Sequence, residues 1–426
     1  MSDTVTRRTF LASAAMAASF ANPARAIDGS RVTVGVVGTG GRGTEHGRMF
    51  AGLQDCIVGY LCDVDEKRVN AAAKAVEPVA TKAGNAVPKT VGDFRKILDD
   101  KTVDGIIVAT CNHWHAIAGI LAVQAGKHVY VEKPCSHNPR EGELFVAVAR
   151  KHKKHVQMGN QRRSFSHYIE ATKKVRDGIL GRAYLAKSWY FNNRPPTGKG
   201  KLTDPPKELN YELWEGPAPH RPFKDNYLHY TWHWFWHWGN GELGNNGVHS
   251  IDVCRWGLEV DYPIRVSSSG GRYRYDDDQE TPDTHTVGFE FTDKKLITWE
   301  GLSCNTAPGG AAFDIVFYGE KGSLMLKDGG YTLHDPKGKE LEKFPATKDG
   351  MNAHLNNWLS AIREDTPLNS EIEEGHKSTL LCHLGNIAHR TGRALKCDPK
   401  DGKILDDADA MKLWTREYAK GWEPKV

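Results

Sequence analysis

The sequence predicts an α/β chain of two folded domains, the first built on a parallel sheet with helices on both faces. Three observations predict it. At 426 residues the chain is longer than one ordinary hydrophobic core fills. From Val32 onward, short β-branched runs alternate with stretches whose apolar residues recur three and four apart, the pattern of strand-helix-strand units around a parallel sheet. The first run also ends directly in a cluster of glycines, Gly38-Thr39-Gly40-Gly41-Arg42-Gly43.

Ahead of the first strand, residues 1–26 read as a targeting segment. Thr6-Arg7-Arg8-Thr9-Phe10-Leu11 precedes a small apolar run over residues 12–21 and the A-x-A pattern Ala24-Arg25-Ala26, as in a twin-arginine signal peptide. The run is too short for a membrane anchor, since a spanning helix needs roughly 20 apolar residues. Export by the twin-arginine machinery, to the periplasm or beyond, is therefore expected. Eight cysteines with no C-x-x-C pair fit buried free thiols better than a disulfide framework, because such a protein folds in a reducing compartment.

The first-domain strands are expected at residues 32–37, 57–62, 103–110 and 128–132, within a domain over 31–156. The glycine cluster satisfies G-x-G-x-x-G between a strand and a helix. Glycine is needed there so that the chain turns tightly and a pyrophosphate can reach the N–H groups of a helix start. The second strand ends in Asp63, where a carboxylate binds adenosine ribose hydroxyls. Asp63 favours NAD over NADP, and nearby Arg42 and Arg68 leave NADP open.

The balance of 57 basic and 53 acidic residues, a net charge of +4, contains no long one-sign tract, which sets nucleic acid aside. The 19 histidines and 12 tryptophans gather in mid-chain. His229, His233 and His237 recur every four residues, but no acidic or cysteine partner stands at a fitting position, so no metal is expected. The Asp276-Asp277-Asp278 run reads as a solvated loop. The aromatic stretch over residues 230–238 suits either the apolar face of a sugar ring or packing, and Trp236 is its candidate for substrate contact. Strands are expected at 183–191, 264–275, 285–291, 296–304 and 313–318, several alternating with period two as in a sheet covered on one face.

Two further segments carry a family resemblance. Thr110-Cys111-Asn112-His113-Trp114-His115 follows one strand, and the next ends in Glu132-Lys133-Pro134. An Asn-x-x-His turn followed by a strand ending in Glu-Lys-Pro resembles the Gfo/Idh/MocA oxidoreductases. The resemblance implies a Rossmann domain, then a domain over 157–426 with a large, mostly antiparallel sheet, homo-oligomers, and chemistry on hydroxyl groups of sugars and inositols. It places Gly38, Gly40, Gly41, Arg42, Gly43, Asp63, Thr110, Asn112, His115, Glu132 and Lys133 at the cofactor. It also places Lys133 at the reacting hydroxyl and a helix histidine, here His249, as the acid/base. The family's D-x-G-x-H segment departs here to Asn245-Asn246-Gly247-Val248-His249. An amide orients a hydroxyl but cannot take its proton, so acid/base work is expected of His249, with Lys133 as positioning cation. Asn245, Asp252 and His115 join Trp236 as substrate-binding candidates.

A nicotinamide enzyme outside the cytoplasm lacks a soluble cofactor pool, so tightly held NAD and a cycle that closes on the protein are expected. A sugar oxidoreductase fits that, as does a redox-neutral glycosidase that oxidises the ring transiently. A non-catalytic sugar-binding or sensor protein is the reading that Asn245 keeps open.

Overall fold

The computed structural model describes residues 31–307, 313–347 and 350–426; the targeting segment lies outside them. The first sheet comprises β1 (Val32–Val37), β2 (Cys56–Cys62), β3 (Lys89–Val91), β4 (Gly105–Val108), β5 (His128–Val131) and β6 (Val156–Met158). They run parallel in the order β3-β2-β1-β4-β5-β6. The connecting helices are α1 (Gly41–Ala51), α2 (Glu66–Lys82), α3 (Arg95–Asp99), α4 (Asn112–Gln124) and α5 (Pro139–His152). Val34, Val36, Ile106 and Ile107 have no exposure, as expected of strands covered on both faces. β4 is shorter than its apolar run because Asp104 and Ala109 turn out of the ladder at either end, though each still bonds the backbone of β1.

The second domain adds α6 (Ser166–Arg176), β7 (Ala183–Asn193), α7 (Tyr211–Glu215), α8 (Val248–Leu258), β8 (Arg265–Gly271), β9 (Thr284–Phe291), β10 (Lys295–Leu302) and β11 (Cys304–Asn305). It continues through β12 (Phe313–Gly319), β13 (Gly322–Lys327), β14 (Gly330–His334), β15 (Glu340–Pro345), α9 (Gly350–Glu364), α10 (Ile372–Thr391), β16 (Leu395–Cys397) and β17 (Ile404–Leu405). The sheet order is β15-β14-β13-β12-β7-β10-β9-β8-β16-β17, with β11 beside β7. Its described pairs are antiparallel except β10 with β7. β8 ends four residues before the expected limit because Asp283 takes the N–H groups of Tyr273 and Arg274 in place of a ladder.

Period-two alternation sorts the faces. His285, Val287 and Phe289 of β9 are buried on the side where α8 and α10 pack. On the opposite side Leu185, Trp189, Leu296 and Leu302 are half-buried, with no described helix over them. α9 leaves this domain and closes the core of the first: Trp358 meets Phe50 and Tyr130 edge-on, at ring separations of 5.8 and 6.1 Å. All eight cysteines are free thiols, seven of them buried. Among the described residues, no helix is long and apolar enough to cross a membrane.

Candidate active site

β1 runs into Gly38 at φ +85°, a conformation L side chains rarely adopt. A Cβ on Gly43 would sit 1.7 Å from the carbonyl oxygen of Gly38, so this glycine lets α1 pack on the turn rather than lining the cleft. α1 starts at Gly41 with no side-chain cap, and nothing lies within 4 Å of where a Gly41 Cβ would be. Uncapped N–H groups facing open space at a helix start suit a phosphate.

Asp63 stands at the end of β2, accepting from Thr39 N at 2.7 Å, Thr39 Oγ1 at 3.0 Å and Asp65 N at 3.0 Å. Burial pushes its carboxyl up against these donors. Its oxygens keep lone pairs for ribose hydroxyls. Arg42 is not free for a ribose phosphate, since Glu132 and Glu45 hold it at 2.8 and 2.9 Å. Asn112 Oδ1 is buried with no hydrogen-bond partner, an orphan acceptor on the cleft wall. These residues fit a dinucleotide.

The cleft has a volume of about 770 Å³. Gly38, Gly40, Gly41, Arg42, Asp63, Thr110, Asn112, His115, Glu132, Lys133, Asn245 and His249 all line it. Lys133 Nζ donates to Asn245 O at 2.7 Å and to Asn245 Oδ1 at 3.0 Å, using two of the ammonium's three N–H groups. Burial lowers the Lys133 pKa, against the pull of Glu132. Burial also raises Glu132, but Arg42 and His46 outweigh it and hold that carboxylate well below its usual range. His249 is held well below the usual histidine value by burial and then by the charges of Lys133 and Arg162. It is a neutral imidazole at neutral pH.

Asn245 sits in a π-helical turn, Leu243–Gly247, that leads into α8; such turns recur at functional sites. One turn earlier, Glu242 is buried and accepts from Arg194 Nε at 2.7 Å. Asn246 donates to the same carboxylate, and Asn245 Nδ2 stands 3.4 Å from it. Glu242 and the Tyr230 hydroxyl, also 3.4 Å away, together take the Asn245 amide nitrogen and leave its oxygen facing Lys133. In place of the carboxylate that the family pattern puts at 245 stands an amide, and the nearby Glu242 carboxylate is paired with Arg194.

Besides Gly43, two expected contacts are corrected and that of His115 is narrowed. Asp252 does not reach the cleft: it is 1 % exposed, and Arg163 Nε and Ser378 Oγ occupy its oxygens at 2.8 and 2.6 Å. Trp236 is turned away, with its ring under Arg390 and its backbone N–H on Glu280; Tyr230, Trp232 and His233 of the same stretch line the cleft instead. His115 presents only a ring face, because its nitrogens lie 2.7 Å from Pro134 O and 3.0 Å from Thr110 O.

The histidines spaced by four diverge, since the only helix there is a short 3-10 turn over Thr231–Trp234. His229 reaches Asp65, and His237 reaches Pro219 O. No group of three or more His, Cys, Asp or Glu among the described residues could hold a metal ion. The acidic run is a solvated loop only at Asp276. Asp277 and Asp278 take the N–H groups of Thr197 and Gly200 and so fix the excursion over residues 194–238. Arg194, Tyr190, Asn192, Leu209 and Trp214, also in the wall, belong to no motif; their one trace in the sequence is the long polar, aromatic-rich stretch between strand and helix.

Residues 32–160 match the NAD-binding Rossmann fold of an oxidoreductase family, and residues 172–424 match its C-terminal alpha/beta domain. A glycosyl hydrolase family 109 protein of Saccharopolyspora erythraea is 30% identical over 167 residues, 38% of this chain and 35% of that protein. Levoglucosan dehydrogenase of Pseudarthrobacter phenanthrenivorans is 25% identical over 226 residues, 53% of this chain and 50% of that enzyme. The chain thus spans about a third to a half of the length of these curated relatives. The fold is shared with aldose-aldose oxidoreductase from Caulobacter crescentus, TM-score 0.66 at 20% identity over 86% of this chain and 99% of that one. It is shared equally with levoglucosan dehydrogenase in complex with NADH and levoglucosan, TM-score 0.66 at 18% identity with the same coverage. With both of its domains matched, the chain belongs to the Gfo/Idh/MocA oxidoreductase family.

Proposed function

We propose that the protein oxidises a hydroxyl group of a sugar or sugar-like polyol and closes the cycle by reducing a second substrate, with NAD retained throughout. The observation that carries this is the Lys133–Asn245 anchor beside His249, in the same cleft as the glycine turn and Asp63. Bound NAD supplies the acceptor and donor of hydride. His249, neutral, accepts the hydroxyl proton, and the third N–H of Lys133 holds the developing oxyanion. Asn245 fixes Lys133 and takes no proton. Tyr230 and Trp232 offer ring faces to a pyranose. The arginine pair and A-x-A pattern near the start of the chain support export in folded form with the nucleotide aboard.

The depressed pKa values set the expected pH profile. Activity holds to below the ordinary histidine value of about 6.5 on the acid side and is lost before the ordinary lysine value of about 10.4 on the alkaline side. The test is to add a panel of aldoses and inositols to NAD-loaded protein and follow the reduced-nucleotide band, with oxidised sugar identified by mass. Lys133→Met is expected to abolish the signal. A panel that leaves the nucleotide unchanged would overturn the reading.

The relative from the glycosyl hydrolase family favours a second reading, redox-neutral cleavage of a glycoside with only transient ring oxidation. An aglycone released without net sugar oxidation would select it. The half-buried Leu185, Trp189 and Leu296 on the uncovered sheet face support a homo-oligomer. Sedimentation at micromolar concentration is expected to show at least a dimer, and Trp189→Glu to shift it to monomer; a wild-type monomer would refute the pairing.

A further inference from the structure

We infer that the second domain supplies a clasp over the Asp63 end of the nucleotide cleft, and that opening of this clasp sets how fast the dinucleotide leaves. The inference rests on the reading that the cleft holds NAD. In this architecture the adenosine ribose lies at the end of the second strand, which here is Asp63. In the chain that follows it, residues 64–66, Asp65 is buried. This segment is paired with residues 208–210 of the excursion: Glu66 N donates to Glu208 O at 3.0 Å, and Asn210 N donates to Val64 O at 2.9 Å. Between those bonds lies the isolated antiparallel bridge Asp65↔Leu209.

Side chains reinforce the crossing. Lys67 pairs with Glu208, and His229 Nε2 lies 3.4 Å from Asp65. Leu209 and Trp214 are each 7% exposed and line the cleft from the second domain. The far end of the segment is tied down, since Trp214 O accepts from Trp114 Nε1 at 3.0 Å. An isolated bridge hinged on a fixed end differs from a wall of sheet: two backbone bonds, the Lys67–Glu208 and His229–Asp65 pairs and one buried leucine are what must yield for this end of the cleft to open.

The geometry also gives the experiment. Asp65 and Leu209 form a non-hydrogen-bonded antiparallel pair, the kind whose Cα atoms approach to about 4.5 Å, within disulfide range. The double variant Asp65→Cys, Leu209→Cys is loaded with labelled NAD while reduced, divided, and half of it oxidised; release is then followed under a chase of unlabelled NAD. The oxidised half is expected to hold its label at least tenfold longer than the reduced half, which controls for any effect of the substitutions themselves. Conversely Asn210→Pro, whose φ of −76° suits proline, removes the bond to Val64 along with the cap on Leu213 N and is expected to release NAD at least tenfold faster than wild type. Equal release from the oxidised and reduced halves would overturn the clasp and leave the cofactor reading standing. Wild-type protein that carries no NAD as purified and takes up none would overturn both, before any cross-link is made.

Discussion

Lowering the pH from 7.5 to 5.5 is expected to cost the fold about 5 kcal/mol from four of its buried, uncharged histidines alone. His285 and His383 are pushed down to about 3, and His354 and His376 to about 4, burial being the first cause in each. Their neighbours suit neutral rings: His354 lies against Ser164 Oγ and Met158 O, His383 against Ser136 Oγ, and His285 against Ser268 Oγ. A folded pKa below the unfolded value means that the stabilisation is complete above about 6.5 and is lost as pH falls from there toward 3–4. Each histidine then costs about 1.4 kcal/mol per pH unit, against a total of about 5–15 kcal/mol for a typical fold. The raised carboxyl of Glu141 works the other way, while Glu374, held down to about 2 by Arg255 and Arg163 against its own burial, adds to the loss at lower pH. Urea unfolding at the two pH values measures the effect, and an unchanged midpoint would mean that these rings find solvent or a counter-charge.

Asp252→Ala is expected to destabilise the protein by about 3 kcal/mol or more and to leave NAD affinity within a few-fold of wild type. The Arg163 side chain is 7% exposed and that of Asp252 1%. Removing the carboxylate takes the nearest counter-charge from a buried guanidinium and the acceptor from the Ser378 O–H together. Glu374, 3.3 Å from Arg163 Nη2, keeps the loss near the lower end for a broken buried pair. Asp252→Asn should cost less, as it retains the acceptor for Ser378. Thermal melts with and without NAD separate the two quantities. A stable variant with lost nucleotide affinity would return Asp252 to the cleft.

The first sheet was legible because strands covered on both faces must be apolar along their length, and Val32–Val37 and Cys56–Cys62 are. β3 and β6 have three residues each, too few to show any period. The cofactor wall was legible wherever local geometry demands a residue type, as at Gly38 and Asp63. The substrate wall was read from the family segment around His249 and from the run of aromatic rings, and that misplaced Asp252 and Trp236. Asp252 lies one turn after His249 but on the side of α8 that faces Arg163 and α10. Trp236 follows a 3-10 turn, which rotates it away from Trp232 and His233. Arg194 and Glu242 escaped notice because their pairing joins residues 48 apart and no local pattern signals it. The return of α9 to the first core was invisible for the same reason.

The parallel pairing of β10 with β7 has a kinetic consequence. It joins residues about 110 apart in sequence, and the loop it closes contains the whole 194–238 excursion. Loop-closure entropy must be met before such distant contacts reward it, so topologies of this kind fold slowly. The segment that covers Asp63 is carried inside that loop and finds its place only once the centre of the second sheet has zipped. A chain whose first sheet is paired but whose second sheet is still open would therefore present an uncovered nucleotide site for as long as that sheet takes to close, which is the interval in which cofactor loads most freely.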